Sequence, residues 1–518
     1  MRRFAFVCAY TFIFFLSQIN FALGKSAPAQ GKKGAFNKEA FIKSAETNKI
    51  LMIGLVDCIT YALKNNSEIN IKRIEPKLKE EDIKIAKADF EPTLNVDFNV
   101  SDNEEPVTNT LLSGGAASSL TKDVDINAGV EGRLITGTRY ELEFLSKRHR
   151  TNSRYQQINP SYEVEPKITI TQPLFGEYGV FINRADIVIA RNNKDISEKD
   201  FRETVMDIIT ETKTAYYNYF YCRESYSIAQ LASKRARDLL DINKARYAKG
   251  LLSSVDLLET ETAVLEKEKA LIAAEADLKK AEDELKVITN LVDNPEMWNT
   301  ELELIDKPKL DKREINLVDS LQNAFQYRPD YESAKIDLKN RDIKIKVAKN
   351  DALPTVDLTG SFGLNGLGED YQDGIDRIST EYKDWGVGVA FSMPWGEGDR
   401  AQYDQRKLEK AQGLIAFYRL EQDIILEVRD YVRAVDIQSR QLEVAKLARE
   451  KETKNYEAQK ERYTAGQVST HDILDYQDRL AQAELDYIKA SIDYNTAIIN
   501  LDKAEGLTLV KNDIILEE

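Results

Sequence analysis

Two hydrophobic periods divide the chain between them. Between residues 94 and 171 apolar side chains take every second position. Leu94, Val96, Phe98 and Val100 alternate with Asn95, Asp97 and Asn99, and Val124, Ile126, Ala128 and Val130 with Asp125, Asn127, Gly129 and Glu131. Tyr140, Leu142 and Phe144 alternate with Arg139, Glu141 and Glu143, and Tyr162, Val164, Ile168 and Ile170 with Glu163, Glu165, Lys167, Thr169 and Thr171. The pattern returns over 355–393, with Val356, Leu358, Phe362 and Leu364, then Trp385, Val387, Val389, Phe391 and Met393. A period of two predicts six strands, each with one apolar and one ionic face. Elsewhere the period is helical. Phe181 to Tyr247 is 67 residues without Gly or Pro, enough for one helix of ~100 Å at ~1.5 Å per residue. Gly398 to Tyr463 is broken only by Gly413. Shorter return helices are predicted over 251–294 and 467–505. Heptads run through them at Leu251, Leu258, Leu265 and Ile272, at Leu271, Leu278, Leu285 and Val292, and at Leu480, Tyr487, Tyr494 and Leu501. Such repeats predict helices packed in coiled-coil fashion.

The chain repeats itself. At an offset of 262, Ala62, Ile83, Lys84, Ala86, Lys87, Asp89, Pro92 and Thr93 match Ala324, Ile345, Lys346, Ala348, Lys349, Asp351, Pro354 and Thr355. At an offset of 216, Arg246, Tyr247, Gly250, Ser253, Asp256 and Leu258 match Arg462, Tyr463, Gly466, Ser469, Asp472 and Leu474. The difference places 46 extra residues in the first copy, between Thr93 and Arg184. The expected organisation is a signal peptide (1–24), a polar segment (25–50), repeat 1 (51–310), repeat 2 (311–507) and a tail (508–518). Repeat 1 holds a helix, strands over 94–171 and helices over 181–248 and 251–294. Repeat 2 holds a helix, strands over 355–393 and helices over 398–464 and 467–505.

Composition narrows the function. The 518 residues carry 72 basic against 87 acidic side chains, a net charge of −15, which disfavours a nucleic-acid partner. Two histidines, His149 and His471, and three cysteines, Cys8, Cys58 and Cys222, form no metal-ligand spacing, and no phosphate-binding glycine loop is present. Nothing points to an enzyme, a metal or a cofactor. Arg2 and Arg3, the apolar run Phe4–Leu16 and the exit at Ala22-Leu23-Gly24 read as a cleaved secretory signal. No other stretch is apolar for ~20 residues, so a membrane can be crossed only by strands. Six amphipathic strands in an exported chain fit the apolar-out, polar-in period of an outer-membrane barrel. The Leu134–Gly137 connection is short, whereas Ser101–Lys122 and Lys147–Ser161 read as long polar outer loops. Six strands close no useful pore alone, so their edges call for other subunits.

These residues resemble the TolC-like outer-membrane efflux protein family from about Leu55 to Leu507. The carriers are Leu353-Pro354-Thr355-Val356-Asp357-Leu358, the strand exits Gln172-Pro173-Leu174-Phe175 and Met393-Pro394-Trp395, and the duplicated turn signature at 246–258 and 462–474. The resemblance implies a mainly α fold with membrane β-structure. Long antiparallel coiled-coil helices would form an α-barrel, and strands from three copies would share one transmembrane β-barrel in the outer membrane, the helices extending into the periplasm. It implies a passive exit duct of a tripartite efflux pump or type I secretion system. A periplasmic adaptor (membrane fusion) protein would open it, and an inner-membrane pump or ABC transporter would energise it. A passive porin or uptake channel and a structural envelope coiled coil are the alternatives.

The turns have a reading of their own. Gly250 and Gly466 end the descending helices, and Ser253 and Ser469 cap the ascending ones. Asp256 and Asp472 fall in the first turn, where carboxylates suit the helix dipole, with Glu259 and Asp475 one turn on. By resemblance Asp472 and Asp475 match an acidic periplasmic aperture, and Asp256 matches a gating contact; with Glu259 they would bring twelve carboxylates near one axis in a trimer. Tyr463 is retained at a family gating position. Gln467 stands where some members carry a basic residue that helps lock the aperture, and His471 is a candidate substitute. The second departure is the strand pair over Asp123–Ser146. Members commonly give two strands per copy, whereas here six per protomer and a wider barrel are expected.

Overall fold

The computed structural model describes residues 50–107, 118–291 and 298–516; the signal segment, most of the polar segment after it, and Val292 lie outside them. In chain order, strand β1 (Ile50–Ile53) precedes helices α1 (Leu55–Asn65) and α2 (Ser67–Ala88). Four strands follow, β2 (Thr93–Pro106), β3 (Ser118–Arg133), β4 (Arg139–Thr151) and β5 (Ser161–Phe175). Next come the one-turn helix α3 (Val180–Asn183), the long helix α4 (Ala185–Ala248) and its return α5 (Ser254–Ile288). Strand β6 (Glu301–Leu304) leads to α6 (Leu317–Tyr327), α7 (Pro329–Asp351), β7 (Thr355–Leu364), the short β8 (Gly366–Gly368) and α8 (Tyr371–Asp376). Strand β9 (Lys383–Ser392), the long helix α9 (Gly398–Thr464) and its return α10 (Thr470–Ala504) complete the second copy. Two compact units result. The described part of the smaller, Ile50–Met52, Leu291 and 298–303, is built on the pairing of β1 with β6. The larger comprises 53–290 and 304–518.

The duplication is visible in the packing. Helix α4 lies along α5, and α9 along α10. Each return helix has 35 residues, about 52 Å at ~1.5 Å per residue, and so covers roughly half of its partner. The uncovered half of α4 receives α1, α2 and α7, and that of α9 receives α6 and α7. Equivalent residues fill equivalent cores. Ala62 and Ile208 pack with Ile59, Ile69 and Val205, while Ala324 and Ile424 pack with Tyr331, Val428 and Ala504. Gly413 is tolerated within α9 because α7 passes close by: a Cβ there would stand 2.9 Å from the Cδ of Arg341.

Several expectations change at the element ends. The helix expected over 181–248 is broken at Arg184. The Asn183 amide donates to the carbonyls of Glu177 (2.9 Å) and Gly179 (3.0 Å) and so holds a tight corner after β5. The return helices start at Ser254 and Thr470, later than 251 and 467, because Ser253 and Ser469 act as caps outside them. Helix α5 also stops short of 294. The Thr289 hydroxyl donates to the Leu285 carbonyl at 2.7 Å, and Asn290 turns to a φ of 51°. The heptad Leu480, Tyr494 and Leu501 is buried against α9 as expected of a coiled coil, but Leu258, Leu265 and Ile272 on α5 are 62%, 66% and 69% exposed. Among the described residues no helix packs against that stripe.

The strands pair into one antiparallel path, β2-β3-β4-β5-β7-β9, with β8 pairing β5 beside it. The hairpin β3–β4, the extra segment of the first copy, is fully part of this sheet. Its turn is pinned at the helix junction. The Gly179 amide donates to the Thr136 carbonyl at 3.3 Å, and Arg139 pairs with Asp357 at 3.3 Å. The loops expected at 101–122 and 147–161 are shorter than predicted, since Ser101–Pro106 pairs with Ser118–Asp123 and β4 continues to Thr151. Backbone ladders need no apolar side chains, so the pairing continues past the point where the hydrophobic alternation stops.

Candidate functional site

The two helix turns converge into one tip. Gly250 and Gly466 adopt φ of 69° and 75°, a conformation that costs other residues about 1–2 kcal/mol, and no neighbour within 4 Å constrains either. The amides of Leu251 and Gln467 close the turns by donating to Arg246 and Arg462 carbonyls, each at 3.0 Å. Between the hairpins lies a sealed polar cluster drawn from all four helices. Tyr463 of α9 donates its hydroxyl to Asn243 Oδ1 of α4. Asn243 Nδ2 donates to Thr260 Oγ1 of α5 at 2.8 Å and reaches Thr470 Oγ1 of α10 at 3.5 Å. All four residues are at most 3% exposed, so each of these groups depends on the others for its hydrogen bonds. Arg246 lies over the Tyr463 ring, 4.6 Å from its centroid, and donates to the Tyr463 carbonyl at 3.0 Å.

The four predicted carboxylates surround this cluster but are individually engaged. Asp256 accepts from Ser253 Oγ at 2.8 Å, and Asp472 from Ser469 Oγ at 2.6 Å. Asp475 pairs with Arg479 at 2.8 Å, one turn along the same helix. Glu259 of α5 meets His471 of α10 at 2.8 Å, which links the hairpins on their exposed side. The Glu259 hydrogen bond and charge, with Asp472 and Asp475 adding, raise the His471 pKa above its ordinary value. The Ser469 hydroxyl and amide lower that of Asp472. Gln467 is exposed. Within the protomer Asp256 accepts from the Ser253 cap, and Tyr463 bonds Asn243 and Thr470.

The sheet is two-faced across its whole width. Pairing sets Leu94 opposite Val130, Val130 opposite Leu142, Leu142 opposite Ile168, Ile168 opposite Phe362 and Phe362 opposite Trp385. One row of apolar side chains therefore crosses six strands on a single face; Val130 on β3 is half-buried, and the other five are exposed, from 37% for Ile168 to 71% for Trp385. The other face carries Asp97, Glu131, Glu141, Glu143, Lys167 and Asp357. No helix of the described residues is long and apolar enough to cross a membrane.

The model of the outer membrane efflux protein family matches residues 140–291 and 320–507, well over half of the sequence. The chain belongs to this family. A comparison with curated proteins found no match. Among solved structures, the chain resembles a membrane protein from Pseudomonas aeruginosa, at 18% identity and a TM-score of 0.66 over 87% of this chain and 93% of that one. It also resembles the Campylobacter jejuni CmeC outer membrane channel, at 17% and 0.66 over 93% and 91%. The open state of the Neisseria gonorrhoeae MtrE outer membrane channel aligns at 18% and 0.60 over 88% and 89%. At these identities the likeness is one of fold. The efflux protein is accordingly an outer-membrane channel component with paired long helices, a membrane-type sheet and a tandem duplication.

Within this efflux protein the two copies of the turn signature have diverged in role. Tyr463 is 3% exposed, whereas its counterpart Tyr247 is 46% exposed. Arg246 faces the cluster, whereas Arg462 bonds Gln459 on the surface at 3.3 Å. The sequence pattern does not single out Asn243, Thr260 and Thr470. The available signal was spacing: Asn243 precedes Arg246 by three residues and shares its helix face.

Proposed function

We propose that three copies close a shared outer-membrane barrel of eighteen strands, six from each copy, continued into the periplasm by the paired long helices as a passive export duct. The observation that carries this reading is an apolar face spanning all six strands, exposed on β2, β4, β5, β7 and β9 and half-buried on β3, while β2 and β9 each keep an edge without a partner strand among the described residues. Open edges in lipid leave backbone groups unsatisfied, at several kcal/mol each. Edge β9 of one copy therefore pairs with β2 of the next. With strands ~4.8 Å apart and tilted ~40°, eighteen enclose a backbone diameter of about 36 Å, against about 24 Å for twelve. The exposed stripe Leu258, Leu265 and Ile272 gives the neighbouring copy a second seam.

The duct opens at the tip, where a periplasmic adaptor protein engages the hairpins and an inner-membrane pump or ABC transporter supplies the energy. Asp256, Glu259, Asp472 and Asp475 line that aperture, while Tyr463 and His471 hold the hairpins together. A tripartite efflux pump and a type I secretion system use the same duct. Loss of the protein should raise cellular accumulation of exported compounds and leave nutrient uptake unchanged; slowed uptake with normal export would mark a passive porin instead. Cysteines placed on β2 and β9 should cross-link between copies, and a cross-linked species that is not trimeric would overturn the assembly.

A further inference from the structure

The apolar face of the sheet ends in a cationic patch. On β4 the side carrying Tyr140, Leu142 and Phe144 continues through Ser146 to Arg148 and Arg150. The intervening residues point the other way, and both meet one carboxylate there: Lys147 lies 3.4 Å from Asp123 Oδ2 and His149 2.6 Å from Asp123 Oδ1. Pairing sets Arg148 between Val124 and Tyr162, and Arg150 opposite Lys122. Lys122 shares the outward face and pairs with Asp102. Farther along β2, Glu104 accepts from the Ser118 hydroxyl at 2.6 Å. These pairings leave Arg148 and Arg150 without a carboxylate partner among the described residues. Arg148 is held instead by Tyr162, its Nε donating to the hydroxyl at 3.1 Å and its guanidinium 5.8 Å from the ring centroid.

Position decides what such a patch meets. Arg148 lies four residues past Phe144, about 13 Å along the strand and about 10 Å along the bilayer normal at a tilt of ~40°. That is where an apolar band ~25 Å tall gives way to headgroups, the level at which tyrosine also concentrates. Arginine presents a fork of donors that fits phosphate oxygens in pairs. We propose that Arg148, Arg150 and Lys122 bind the phosphate of an anionic lipid headgroup in the outer leaflet. This rests on the reading that the apolar face meets lipid. The occupant is a lipid because on β3 the patch continues the apolar side chains Val124 and Ile126, whereas Ser146 on β4 and Val164 on β5 are already covered, so an acyl-anchored phosphate is delivered to it with its tails along the adjoining strand.

The test uses the full-length protein in phosphatidylcholine vesicles, with lipid A as the probe and bound lipid counted by native mass spectrometry. The wild type should retain lipid A in preference to phosphatidylcholine. The double variant R148Q/R150Q should bind it roughly 25-fold more weakly, at about fivefold per cation, with assembly and conductance kept. R148K/R150K should recover part of the affinity, and K147Q, on the opposite face, should leave it unchanged. Equal retention of both lipids by the wild type, undiminished binding by R148Q/R150Q, or displacement of lipid A by inorganic phosphate alone would each overturn the site. If the wild type inserts and conducts without lipid preference, only this site fails; if it does not insert, the channel reading fails with it.

Discussion

Tyr463 and Asn243, 220 residues apart, share a hydrogen bond inside the sealed junction of the two helical hairpins. It joins the second long helix to the first, and through Asn243 it engages Thr260 and Thr470 on both return helices. In the proposed duct, opening the tip separates the hairpins, and that separation exposes or orphans every member of this cluster.

Replacing Tyr463 with Phe keeps the ring under Arg246 but leaves Asn243 Oδ1 without its donor. An orphaned buried polar group costs about 1–3 kcal/mol, so Tyr463→Phe should weaken closure and raise the open fraction in single-channel recordings. Tyr247→Phe, at the exposed equivalent position, should leave the recordings unchanged.

The His471–Glu259 contact gives closure a pH dependence of definite sign. The folded-state pKa of His471 is raised, so its contribution is complete below the ordinary histidine value and is lost as pH rises through the raised one. Conductance should increase over that interval in the wild type, and His471→Gln should abolish the increase. Asp472 acts in the opposite sense. Its pKa is lowered, so its capping contribution is present above the ordinary aspartate value and disappears only as pH falls through the depressed one.

At the turns, Gly466→Ala should cost about 1–2 kcal/mol, the price of a left-handed backbone for a residue with a Cβ. Open space surrounds the position, so no steric term adds to this. Ser469→Ala should cost about 1 kcal/mol through loss of the cap. Thermal unfolding of both variants reads these effects, and Gly466→Asn should fall between wild type and Gly466→Ala.

The α5 stripe separates folding from assembly. Leu265 is 66% exposed and Leu285 is fully buried. Leu265→Asp should therefore leave the protomer folded and reduce the trimer on a native gel, whereas Leu285→Ala should destabilise the protomer itself by about 2–5 kcal/mol.

Much of this architecture was legible along the chain because it is periodic or repeated. Alternation at Leu94–Val100 and Trp385–Phe391 specifies strands with a greasy side, and the glycines and serines of the turn signature specify where the long helices reverse, both through local backbone and solvent preferences. Element ends were less legible. The corner at Asn183 and the extension of β2 to Pro106 depend on a side-chain bond back to Glu177 and on ladder pairing with β3, neither of which leaves a periodic signal. Tertiary structure alone decided which of two near-identical turn motifs faces inward. Arg246 and Tyr463 meet across the hairpins while Tyr247 and Arg462 face solvent, because four helices packed side by side cannot present both copies of a motif to the same interior.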